Sequence, residues 1–139
     1  MSPRYPRHGR RGATAVEFAL TLPVFLMLVF GLIDFSLYFA GQAMLDSLTG
    51  ASCESGAELD PLFFNVKEQT QLTIENGLGV LPLLTCSGGG CEVGVEFDGV
   101  APAQVLVCQT TVEFQGVTGF TPLPERLNSS SLQRMEWQR

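Results

Sequence analysis

Histidine is almost absent from this chain: His8 is the only one, and it lies in the first dozen residues, ahead of a long apolar run. A serine or cysteine nucleophile placed after that run therefore has no histidine base to activate it. The chain also lacks a C-x-x-C pair, a glycine-rich phosphate loop ending in lysine, and any histidine spacing suited to a metal. Basic residues are scarce too. Of the 8 Lys and Arg, four (Arg4, Arg7, Arg10 and Arg11) precede Gly12, while all 14 acidic residues follow it. The balance after Gly12 is four basic against 14 acidic, a net of −10. Such a surface repels nucleic acid, whose binding is dominated by cationic contacts to phosphate. Glu96 and Asp98 are the one pair that resembles an acid-base couple, and they read better as a solvated strand end entering a turn. No enzymatic class, cofactor or metal is expected.

What the sequence does have is one apolar run. From Phe18 to Ala40 the only charge is Asp34, and about 20 apolar residues suffice for a helix to cross a bilayer. The arginine-rich side of such a helix stays in the cytoplasm. The expected layout is a basic cytoplasmic leader at 1–12, a transmembrane helix at 13–41, and an exported domain at 42–139. Pro23 should kink the helix or cost it one backbone bond. A secretory signal cut near Gly41-Gln42-Ala43 is the lesser alternative, because the apolar run is long for a signal and contains Asp34.

About one hundred exported residues make one small domain. Its four cysteines, Cys53, Cys86, Cys91 and Cys108, lie where disulfides persist. The preferred pairing is Cys86 with Cys91 around Ser87-Gly88-Gly89-Gly90, and Cys53 with Cys108, among three connectivities. A four-thiolate zinc site would want close C-x-x-C pairs. The helix should continue past Gly41 with Ala43, Leu45, Leu48 and Ala51 on an apolar side and Gln42, Asp46, Ser47 and Glu54 on a polar one. A second helix is expected from Asp60-Pro61, carrying Leu62, Phe63, Val66, Thr70 and Ile74 and ending at Gly77 and Gly79. Val93, Val95 and Phe97 alternate with Glu92, Gly94 and Glu96, the period of a strand with one wet face. Asp98-Gly99 turns into a strand from Gln104 to Phe114, and Ser129 to Trp137 supplies a last one. Lys67 reads as an ordinary surface residue. The fold class is thus α+β: a long membrane helix extending into a small domain with a second helix and a short antiparallel sheet.

Glu17 is the residue that needs explaining, since a carboxylate beside an apolar run is costly unless paired. Cleavage between Gly12 and Ala13 would make it the fifth residue of a mature chain. In a bundle of staggered helices it would then meet a neighbour's new α-amino group, pairing that offsets burial in a low dielectric. The arrangement Gly12-Ala-Thr-Ala-Val-Glu17-Phe18 after a basic leader resembles the processing site of type IV prepilins, particularly the Flp and Tad (tight adherence) group. The longer run R-R-G-A-T-A-V-E-F-A-L-T-L-P-V-F-L-M-L-V-F-G-L-I-D-F resembles the TadE-like pseudopilins, or minor pilins, and V-E-F-Q-G-V-T-G-F-T-P-L-P followed by N-S-S-S-L-Q-R-M-E is similar to the end of TadE-like domains. The resemblance implies cleavage after Gly12 by an inner-membrane prepilin peptidase, with Ala13 as mature N-terminus, Glu17 as assembly carboxylate and Phe18 as part of the recognition motif. It implies a structural role in building an adhesive pilus, alongside other Tad pilus subunits and their inner-membrane platform. The exported domain is larger than a shaft pilin needs, which suits a minor subunit. The alternative is an uncleaved single-pass envelope protein with a periplasmic binding domain.

Overall fold

The computed structural model describes residues 10–81 (side chains from Thr14), 84, 91–100, 103–114, 116–119 and 122–135. Helix α1 (Arg10–Ala57) runs through 48 residues without interruption, including Pro23, and at about 1.5 Å per residue it is about 72 Å long. Its two halves differ in what surrounds them. From Thr14 to Ile33 its side chains are mostly exposed although nearly all are apolar. This is about 20 residues, or about 30 Å of helix, the thickness of a bilayer core. From Asp34 onward the helix is one wall of a domain. It is the one helix among the described residues long and apolar enough to cross a membrane.

The rest of the domain is α2 (Val66–Leu78) and three strands, β1 (Cys91–Asp98), β2 (Val105–Glu113) and β3 (Arg126–Arg134). They form one antiparallel sheet in the order β1-β2-β3. The chain is α+β, as its patterning predicts. In β1 and β2 the alternation decides the inner face: Val95, Leu106, Cys108, Thr110 and Val112 are buried, and Glu92, Gly94 and Glu96 are exposed. Phe114, just past β2, is buried as well. In register, Val95 sits opposite Cys108 and Cys108 opposite Ser131. Helix α1 packs under β2 and β3, and α2 packs against α1 and β1.

Two contacts between the helices depend on missing side chains. A Cβ on Gly56 would lie 2.1 Å from the Thr70 hydroxyl, and one on Gly77 would lie 2.3 Å from a Leu48 methyl. Both are too close for real atoms, so glycine at these two places lets α1 and α2 approach. The Gly99 turn between β1 and β2 has φ of +83°, and there the absence of a Cβ removes a backbone penalty.

Several expectations are corrected. Helix α2 begins at Val66, not at Asp60-Pro61. Asp60 closes a turn instead: its side chain accepts the Leu62 N–H at 2.9 Å and its carbonyl accepts from Phe63 and Phe64. Val66, Thr70, Ile74 and Leu78 form the buried stripe of α2, whereas Leu62 and Phe63 stand 87% and 80% exposed. The inward side of α1 is Leu45, Thr49, Ser52, Cys53 and Gly56, with Ala43 and Ala51 outside. Polar Thr49 turns inward because it meets a hydroxyl partner, Thr110, at 3.1 Å. Strand β3 starts at Arg126 and ends at Arg134, about three residues earlier than expected. Lys67 is exposed, as expected of a surface residue, and its ammonium also lies 5.1 Å from the centre of the Phe97 ring, a cation–π contact that ties α2 to β1.

Candidate functional site

The segment that the sequence singles out occupies the start of α1. Gly12 and Ala13 lie in its first turn. Cleavage between them would leave a helix that begins at the mature N-terminus. Glu17 is exposed; the Thr21 hydroxyl donates to its backbone carbonyl at 3.1 Å, and its carboxyl group has no hydrogen bond or ion pair to a described residue. Phe18 is 64% exposed. The structure does not bring these residues to the domain. They stand on the bare half of the helix, about 20 Å or more along its axis from the buried Asp34.

Asp34 is where the bare helix becomes a packed one. Its side chain is fully buried although polar. The Thr118 backbone N–H donates to Asp34 Oδ1 at 3.1 Å, and the Thr118 hydroxyl donates to Asp34 Oδ2. Gly116 lies over the same carboxyl group, where an added Cβ would be 3.7 Å from it. The carboxyl group near the C-terminal end of the apolar run is therefore held by the domain's own 116–119 loop, 84 residues on. A turn further along, Tyr38 packs edge-on to Phe114 with ring centres 5.5 Å apart, and Gly41 faces Leu127, Leu84 and Phe114. Together these contacts fix the sheet at one height on the helix, just above its bare part. Sequence reasoning finds Asp34 as an oddity in an apolar run. Its partner Thr118 carries no local signal, because Gly116-Val-Thr-Gly119 reads only as a loop.

At the far end, Cys53 and Cys108 form a disulfide between α1 and β2, with Cα atoms 5.9 Å apart and a sequence separation of 55. Both are fully buried. The bond takes both sulfurs out of any metal site, and no cluster of three or more potential ligands occurs among the described residues. Cys91 is also disulfide-bonded, while its expected partner, Cys86, lies outside the described residues.

No curated protein and no solved structure matches the chain. Residues 12–52, however, match the family model described as TadE-like protein. The segment that carries Gly12, Glu17, Phe18, Asp34 and the domain half of α1 as far as Ser52 is thus similar to TadE-like proteins.

Proposed function

We propose that this chain is a minor pilin or pseudopilin of a Tad-type (Flp, type IVb) pilus, processed after Gly12 and supporting pilus biogenesis and adhesion. The observation that carries the reading is the coincidence of the TadE-like match over 12–52 with a basic leader, Gly12, Glu17 and Phe18, on a mostly apolar and exposed helix stretch of about 20 residues, 14–33. In this reading the leader stays in the cytoplasm, α1 crosses the inner membrane, and the disulfide-bonded domain faces the periplasm or the outside.

The mechanism is one of assembly, and it rests on electrostatics in a low dielectric. Removal of the leader discards four arginines and creates an α-amino group on Ala13. Glu17 lies four residues on, about 6 Å along the axis. A neighbouring helix displaced by that rise presents its amine beside the carboxylate, and neither charge then remains unpaired in the apolar layer. Phe18 belongs to the motif read by the prepilin peptidase. Other Tad pilus subunits and the inner-membrane platform are the partners. The TadE-like match over 12–52 supports a structural role over an enzymatic one.

The test separates cleavage from assembly in the native host. Gly12→Val should accumulate as full-length precursor. Glu17→Ala should be processed normally and yet enter pilus fractions poorly. Normal pili from the Glu17→Ala strain would remove the proposed role of that carboxylate.

A further inference from the structure

The outer face of the sheet is divided by charge. On β1 the exposed positions are Glu92, Gly94, Glu96 and Asp98; on β3 they are Arg126, Asn128, Ser130, Leu132 and Arg134. One outer strand of the sheet is thus acidic and the other basic, and neither has a further strand beside it among the described residues. Arg126 has a carboxylate, Glu113, opposite it on β2. Arg134 does not: its partner is Val105, and Asp98 lies one strand beyond in the same row. The lower part of β3 is engaged by α1, since Gln42 Nε2 donates to the Asn128 carbonyl at 2.9 Å and to Asp46 at 3.0 Å. The open stretch of that strand is Ser130 to Arg134.

Direction and height are settled by the anchor. Gly41 and Gln42 meet Leu127 and Asn128, while Cys53 is joined to Cys108, in the row of Ser131. Strand β3 therefore ascends with α1, and so does β1, which is parallel to it through the antiparallel β2. Copies anchored in one membrane share both orientation and height. Side by side, the β3 of one and the β1 of the next run parallel, and the register rows meet level: Ser130 with Gly94, Leu132 with Glu96, Arg134 with Asp98.

We propose that a second copy of this chain docks its acidic β1 edge against the open Ser130–Arg134 stretch of β3, continuing the sheet from one subunit to the next. Strand edges with free backbone groups are templates for such pairing, and the added strand lies about 4.8 Å away, which puts Arg134 within reach of the neighbour's Asp98 and Glu96. The symmetric alternatives are unfavourable. A β1–β1 contact opposes Glu92, Glu96 and Asp98 to themselves, and a β3–β3 contact opposes Arg134 to itself. The heterologous contact leaves one open edge at each end, so it extends into a row. Confinement in a membrane raises the effective concentration for such an individually weak contact. The inference needs α1 to span the membrane but not the pilus reading.

Two tagged full-length copies in native membranes test it, one Gly94→Cys and the other Ser130→Cys. A Cβ on Gly94 meets nothing closer than 4.0 Å, and both positions are exposed. Mild oxidation should give the mixed dimer at least fivefold over either like-with-like dimer. Adding Arg134→Glu to the Ser130→Cys copy should reduce the mixed dimer at least fivefold, and Asp98→Arg in the Gly94→Cys copy should restore it. Like-with-like dimers equal to the mixed one, no mixed dimer, or a yield indifferent to Arg134→Glu would each overturn the proposal. Restoration by the charge swap shows that the Arg134→Glu chain is folded.

Discussion

Asp34→Ala removes the one carboxyl group that the domain's 116–119 loop uses to hold the helix. In the wild type that group is fully buried and accepts both the N–H and the hydroxyl of Thr118. The substitution leaves two donors without their acceptor, and a buried donor left unmade costs about 1–3 kcal/mol. Thr118 is itself only half-buried, so water can reach part of it, and the loss should fall in the lower part of that range, about 1–2 kcal/mol. For a domain of this size each kcal/mol shifts Tm by about 4–8 °C. Full-length protein in nanodiscs should therefore melt about 4–16 °C lower, with faster amide exchange at Thr118. Asp34→Asn keeps one acceptor oxygen and should lose less. A double-mutant cycle with Thr118→Val should give a coupling of about 0.5–3 kcal/mol. An unchanged melt and unchanged protection at Thr118 in Asp34→Ala would refute the idea that this contact fixes the domain on the helix.

Gly56→Ala should lower stability by about 1–3 kcal/mol through overpacking against Thr70, and pairing it with Thr70→Ala should recover much of the loss in denaturant titration. Cys108→Ser should leave Cys53 unpaired and cost about 2–5 kcal/mol, seen as reduced yield of the folded protein; oxidised and reduced wild type of equal gel mobility would argue against any disulfide in the natural protein.

The parts of this fold that follow from short-range chemistry are legible in the sequence. The alternation Val93, Val95, Phe97 and the row Leu106, Cys108, Thr110, Val112 place β1 and β2 correctly, since one buried and one wet face impose a two-residue period. The apolar run before Asp34 identifies the helix by length alone. Where two local structures compete, the sequence misleads. Leu62 and Phe63 look like the first apolar positions of α2, but the Asp60 side chain captures the Leu62 N–H and closes a turn, which delays the helix to Val66. Polar residues on α1 are expected to face outward, yet Thr49 pairs inward with Thr110. Strand β3, with three serines and little apolar character, has weak bounds in the sequence. Asp34 and Thr118 meet over 84 residues, and no periodicity in either stretch announces that meeting. Glu17 and Phe18, by contrast, are conspicuous because their pattern is linear and lies on one exposed helix end.

The proposed role stands on processing, and one measurement reads it directly: the intact mass and N-terminal sequence of the protein from membranes of its own host. A chain beginning at Ala13 is the predicted result, with the leader and its four arginines gone. A chain beginning at Met1 or Ser2 would contradict prepilin-type maturation, and Glu17 would then be an ordinary acidic residue near the start of an uncleaved anchor.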